Sequence, residues 1–232
     1  MAVKPLVRWT IGGSVPEKGF KSLRRSIELW KRTYGDEFDY VLCHNIPVEN
    51  FGIETVDQCN FCNTLPYEPK DTFWKFCPPR MRPESHEIII DNDLLVYNRC
   101  PTIDWFLSQT DQVISTAAHK AYHGCFEPYL FNCDIAINTG LVGFPPGYDF
   151  ESDLKKLFVM YPLPIGNHCD DQGAFLMLTK RFLKVVPMDE IHVCNPDTDF
   201  ATYKLGICGT HFAGLNQGHD QFWDRMEAEN AL

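Results

Sequence analysis

The stretch Glu87-Ile88-Ile89-Ile90-Asp91-Asn92-Asp93 runs an unbroken apolar segment straight into two carboxylates separated by one residue. Three consecutive isoleucines preceded by a single charge read as a strand buried on both faces. Residues i and i+2 of an extended chain point to the same side, so Asp91 and Asp93 can converge on one cation. Two carboxylates this close raise each other's proton affinity, and a bound cation removes that penalty. The alternative is a solvated turn after the strand, where Asp and Asn are favoured formers.

Working outward, residues 3–11 form an apolar run that breaks at Gly12-Gly13, and Phe20, Leu23, Ile27 and Trp30 then recur at helical spacing until Gly35. Short β-type runs follow at 38–43 and 53–56, and a fourth at 86–90 enters the acidic element. Downstream, the pattern predicts a proline-opened helix over 101–108 and a strand over 112–116. Paired apolar runs over 134–144 surround Asn138-Thr139-Gly140. A helix with an acidic first turn is predicted over 171–178, then strands over 183–186 and 207–211 and a polar tail. Strands alternating with helices predict an α/β fold: a mostly parallel central sheet flanked by helices, with ligands gathering at the C-terminal strand ends.

A chain of 232 residues with 44% hydrophobic residues can bury a full core and is short enough to be one domain over 1–232. Its formal charge, 21 − 31 = −10, and the lack of any Lys/Arg-rich run exclude nucleic acid as a partner. No apolar segment is long enough to span a bilayer, and residues 1–10 have neither the hydrophobic region nor the cleavage site of a signal peptide. The ten cysteines are scattered, and Asn-x-Ser/Thr acceptors are absent, which favours a reducing cytoplasm. Cys59-x-x-Cys62 has zinc-like spacing, but a structural zinc site wants a second ligand pair and only Cys77 stands nearby.

Near the other end, Ile207-Cys208-Gly209-Thr210-His211-Phe212-Ala213-Gly214 sets one histidine between glycines, where backbone can approach a ligand closely. An imidazole joining two carboxylates makes a mixed nitrogen and oxygen site, which suits Mn²⁺ better than Mg²⁺ without excluding the latter. A structural loop histidine is the alternative.

Taken in order, Trp9 to Gly13, Trp74 to Arg80, Asp91 to Asp93, Asn138 to Gly140, Asp171-Gln172-Gly173 and His211 to Gly214 span almost the whole chain. This series resembles the GT-A (Rossmann-like) glycosyltransferases, particularly the glycogenin-like and bacterial galactosyltransferase-like group. The resemblance implies a nucleotide-binding part over about 1–100 and an acceptor and catalytic part over about 101–232. It makes Asp93 and His211 direct metal ligands, with Asp91 sharing the metal or binding ribose and Asn92 among the residues that bind the nucleotide sugar. It implies that Thr10, Ile11, Gly12 and Gly13 line the nucleotide and that Lys75 and Arg80 meet phosphates or sugar. Asn138 and Thr139 would contact sugar hydroxyls.

Asp170, Asp171 and Gln172 would form the reacting centre. Asp171 would act as general base if the reaction inverts; Asp171 or Gln172 would position the sugar if it retains. Trp74, Tyr122, Phe126, Tyr129 and Trp223 include candidate sugar-stacking platforms, although core packing competes for each.

The expected activity is metal-dependent transfer of a hexosyl or deoxyhexosyl group from a nucleoside diphosphate sugar, uridine-linked, to a glycan or glycoside hydroxyl. Two departures stand out. Leu215-Asn216-Gln217 follows Gly214 where the resembling group carries a phosphate-binding lysine, and no membrane-binding extension follows. The second suggests a soluble acceptor, a partner subunit, or a domain of a longer multi-domain glycosyltransferase. The rival readings are a sugar-1-phosphate nucleotidyltransferase and a catalytically inactive carbohydrate-binding protein. Gly12-Gly13-Ser14 followed only by Lys18 lacks the basic glycine-rich signature of the first, and retention of Asp91, Asp93, Asp171 and His211 argues against the second.

Overall fold

The structure is a computed structural model that describes residues 3–194, 205–214 and 224. Strand β1 (Leu6–Ile11) leads into helix α1 (Glu17–Tyr34). Leu23, Ile27, Trp30 and Tyr34 lie on the buried stripe of α1, and Gly35 ends it at φ 53° with its N–H on the Lys31 carbonyl. Trp9 Nε1 donates to Ser26 Oγ at 2.9 Å, which fastens α1 onto β1. Strands β2 (Asp39–His44), β3 (Glu54–Asp57), β4 (Glu87–Asp91) and β5 (Leu94–Val96) follow, then α2 (Pro101–Phe106) and β6 (Val113–Ala117). The chain continues through β7 (Ile137–Phe144), α3 (Phe150–Met160), α4 (Asp170–Thr179), β8 (Leu183–Val186), β9 (Ile191–Val193) and β10 (Gly209–His211).

The main sheet has the order β3-β2-β1-β4-β7-β6-β8. Pairings β1/β2, β1/β4, β2/β3 and β6/β8 are parallel, whereas β7 runs antiparallel to both β4 and β6. The sheet is therefore mixed and mostly parallel, as the strand and helix alternation predicts. Ile88 and Ile90 enter the apolar layer that holds Trp9 and Trp30, while Ile89 faces the Phe-rich layer of Phe76, Phe144 and Phe175. That division explains the uninterrupted isoleucine run: both faces of β4 are covered.

A second sheet, β5-β10-β9, pairs β10 antiparallel to β5 and parallel to β9. The apolar runs expected over 134–144 are one strand of eight residues, whose register against β6 shifts between Ser115 and Thr116. The patterning left α3, β5 and β9 unanticipated. In α3, Phe150, Leu154, Leu157 and Phe158 are buried at helical spacing and Asp149 caps the Ser152 N–H at 2.9 Å, so that signal was present. Strands of three residues carry too few positions for any periodicity. All ten cysteines are free, so Cys59 and Cys62 form no disulfide, and they belong to no metal-ligand cluster among the described residues. Among those residues no helix is long and apolar enough to cross a membrane.

Candidate active site

A cavity of about 810 Å³ opens at the C-terminal ends of β1 and β4. Parallel pairing sets Thr10 opposite Asp91, and Thr10, Ile11, Gly12 and Gly13 all line the opening. Asn45 Oδ1 accepts the Gly13 N–H at 2.9 Å, and a Cβ on Gly12 would lie 2.1 Å from that same oxygen. A side chain at 12 would displace the Asn45 amide from the Gly13 N–H, and Asn45 is a supporting residue with no recognisable motif of its own.

The antiparallel β5/β10 pairing sets His211 opposite Leu94, and Phe212 N–H donates to the Asp93 carbonyl at 2.9 Å. Two residues 118 apart in sequence thereby meet: His211 Nε2 lies 3.1 Å from Asp93 Oδ1 and 3.9 Å from Asp91 Oδ2. The three side chains each offer a ligand atom within 4.8 Å of the others. Asp93 and His211 are buried, and His211 Nδ1 is buried without a hydrogen-bond partner. A Cβ on Gly140 would stand 2.2 Å from His211 Cε1, so the imidazole occupies space that only glycine leaves. Burial pushes the Asp91 carboxyl up, Lys75 and His211 pull it back, and Asp93 adds to the rise. A buried and a half-buried carboxylate beside an incompletely bonded imidazole, with mixed oxygen and nitrogen donors, fit a divalent transition-metal ion.

The rest of the expected site divides into residues that face the cavity and residues that do not. Asn92 lines it while its amide Nδ2 donates to the Gly19 carbonyl at 3.1 Å, pinning the acidic turn to α1. Lys75 Nζ meets Asp91 Oδ1 at 2.9 Å, Asp171 Oδ2 at 3.0 Å and the Thr139 carbonyl at 3.0 Å. Burial lowers its proton affinity, but Asp171 and Asp91 outweigh that and hold the ammonium well above the usual lysine range. All three of its protons are therefore committed to the protein.

Asp171 is equally engaged, with Oδ1 accepting from Thr72 Oγ1 at 2.8 Å and Oδ2 from Thr139 Oγ1 at 2.5 Å. Gln172 lines the cavity and its Nε2 donates to the Tyr122 carbonyl at 3.1 Å. Asn138 also lines it, with Oδ1 accepting the Gly140 N–H at 2.7 Å.

Two expectations require correction. Arg80 does not line the cavity. Its Nε pairs with Glu87 Oε2 at 3.1 Å, and its four remaining N–H groups reach the carbonyls of Pro145, Tyr148, Arg82 and Ser85. A guanidinium with all five donors spent inside the protein has none for a phosphate. Asp170 likewise is turned away: it is fully buried and accepts N–H groups of Cys125 at 2.7 Å, Gly166 at 2.8 Å and Asn167 at 2.7 Å. It ties loops to the start of α4.

Of the aromatic candidates, Trp74 and Tyr122 line the cavity, Phe126 is in the core and Tyr129 packs on Tyr161. Trp223 and Leu215-Asn216-Gln217 lie outside the described residues. Sequence reasoning passed over Thr72, which holds Asp171 in place. It also passed over Asp71, a cavity residue at φ 48°. Thr72 carries no spacing signal, because its role depends on a helix about 100 residues downstream in the chain.

No family profile and no characterised protein matches the chain by sequence. Solved structures do match by fold. The galactosyltransferase LgtC in complex with donor and acceptor sugar analogues superposes with a TM-score of 0.59 at 10% identity, over 96% of this chain and 95% of that one. The bifunctional glycosyltransferase WbbM gives 0.69 at 15% identity over 98% of this chain and 51% of its own. Mouse xyloside xylosyltransferase 1 gives 0.60 at 10% identity over 92% of this chain and 99% of its own. The chain therefore has the GT-A fold of glycosyltransferases.

Proposed function

We propose that this protein is a divalent-metal-dependent glycosyltransferase that moves a hexosyl or deoxyhexosyl group from a nucleoside diphosphate sugar, uridine-linked, to a glycan or glycoside hydroxyl. The observation that carries the reading is the convergence of Asp91, Asp93 and His211 at the mouth of a cavity walled by the glycine-lined end of β1. A Mn²⁺ or Mg²⁺ ion held by these three residues would supply Lewis-acid stabilisation of the leaving diphosphate.

The chain's own residues do the remaining work. The backbone of Thr10 to Gly13 approaches the nucleotide, and Asn92 fixes the acidic turn against α1. Lys75 holds Asp91 and Asp171 at a set separation. With both oxygens of Asp171 already accepting hydrogen bonds, its carboxylate suits positioning of the donor sugar better than proton abstraction. Gln172 and Asn138 stand beside it for the sugar hydroxyls.

Thermal stabilisation by UDP with and without Mn²⁺ tests the reading. Stabilisation that requires the metal is expected, together with slow diphosphate release from one donor in a panel of nucleotide sugars. Asp93→Ala and His211→Ala should each lose both effects. Full retention of diphosphate release in both variants would refute the site.

A further inference from the structure

We propose that the wall of the cavity carrying Trp74 and Tyr122 is the acceptor subsite and that it takes an uncharged pyranoside. This deepens the transferase reading and rests on it. Tyr122 lines the cavity yet is 56% exposed, while Phe126 beside it is fully buried. Trp74 lines the cavity from the 3-10 turn Asp71–Phe76 and is half-buried. A large aromatic face left in water at the rim of a polar cavity has an apolar surface to offer a ligand.

Both aromatics are latched to the same first turn of α4. Gln172 Nε2 binds the Tyr122 carbonyl at 3.1 Å, and Thr72 Oγ1 binds Asp171 Oδ1 at 2.8 Å and the His168 carbonyl at 3.0 Å. Gly173 permits the first latch: a Cβ there would lie 2.1 Å from the His123 carbonyl oxygen and 2.8 Å from Phe126 Cβ. The segment after Tyr122 therefore lies directly on α4. The two aromatic residues thus come from the two segments that abut Asp171 and Gln172, where the proposed reaction brings the donor sugar. A slot beside the donor sugar is where the attacking hydroxyl must sit.

Charge selects the class of occupant. The carboxylate of Asp71 is exposed on this wall, at φ 48°, a left-handed backbone conformation that Asp tolerates better than most side chains. An accessible carboxylate accepts hydroxyl hydrogens and repels an acidic sugar. Lys75 cannot offset it, being spent on Asp91 and Asp171. Lys120, also on the cavity, follows His119, whose Nε2 is held 3.0 Å from the carbonyl of Val193, the strand partner of His211. Lys120 is exposed and stands two residues before Tyr122, so binding of a charged glycoside reads directly which of Asp71 and Lys120 sets the preference. A pyranose presents an apolar C–H face to an aromatic ring and hydroxyls to a carboxylate at once, which matches Tyr122, Trp74 and Asp71 together.

The test is saturation-transfer NMR, with and without UDP and Mn²⁺, using methyl glycosides of glucose, galactose and N-acetylglucosamine and the charged methyl glucuronide. At least one neutral glycoside should bind the native protein and Tyr129→Ala, an exposed-aromatic control off the cavity. Binding should weaken roughly tenfold in Tyr122→Ala and in Trp74→Ala and persist in Tyr122→Phe, which keeps the ring. Undiminished binding in both alanine variants, loss in Tyr122→Phe as great as in Tyr122→Ala, glucuronide binding as tight as the neutral sugars, or no glycoside binding at all would each overturn the proposal. Failure of UDP to stabilise the protein defeats the transferase reading instead, and the glycoside arms without UDP still decide this one.

Discussion

Asp171 and Asp93 face the same cavity, and the protein treats the two carboxylates in opposite ways. At Asp171 every oxygen is answered from within: Thr72 on one, Thr139 and the Lys75 ammonium on the other. At Asp93 the neighbours are another carboxylate and an imidazole whose Nδ1 has no partner. Burying charge is costly unless it is paired and hydrogen-bonded, so the first cluster is a finished, rigid polar wall and the second is an arrangement that a ligand completes. Acid content alone does not mark a metal site; the unanswered part does.

This contrast can be broken at the wall first. Lys75→Met strips the counter-charge from Asp171 and Asp91 together, and a stability loss of about 3–5 kcal/mol is expected by chemical denaturation, as when one partner of a buried ion pair is removed. Adding Asp171→Asn should recover part of it, and a double variant no more stable than Lys75→Met would show that the wall is not held by charge. Gly140→Ala strikes the metal side. Its methyl collides with the His211 ring, so Mn²⁺ affinity should fall on the order of 10–100-fold by titration while the fold persists. Metal binding equal to that of the native protein would separate His211 from the ligand set. The smallest effect is expected from Thr72→Val, which leaves one Asp171 oxygen short of a donor. It should cost about 1–2 kcal/mol in melting experiments without changing Mn²⁺ affinity. A loss of metal binding there would mean that the two clusters are less independent than their hydrogen bonding suggests.

Much of the fold was legible because β4 and α1 carry strong local signals. Ile88-Ile89-Ile90 is a doubly covered strand, and Leu23, Ile27 and Trp30 trace one helical face. The small β5-β10-β9 sheet was not legible, since three-residue strands are defined by their partners and not by their own residues. The same division runs through the site. Asp91, Asp93 and His211 were nameable from motif order, and the structure brings them together. Arg80 and Asp170 were nameable on chemical type, and both are consumed by internal hydrogen bonds, some to residues within seven positions and the rest to Pro145, Tyr148 and Cys125 far along the chain. Five aromatics were equal candidates for sugar stacking, and burial alone separates Tyr122 and Trp74 from Phe126.

By itself, then, the sequence determined the α/β class, the acidic strand end and the order of glycine-bearing motifs, because strand periodicity, turn chemistry and the i, i+2 rule act over a few residues. Only the tertiary structure decided which charges remain available to a ligand. Whether Lys75 or His211 has donors or acceptors to spare depends on partners up to more than a hundred residues away that meet only when the sheets close, and the local bonds of Arg80 and Asp170 are completed by Pro145, Tyr148 and Cys125, likewise distant in the chain.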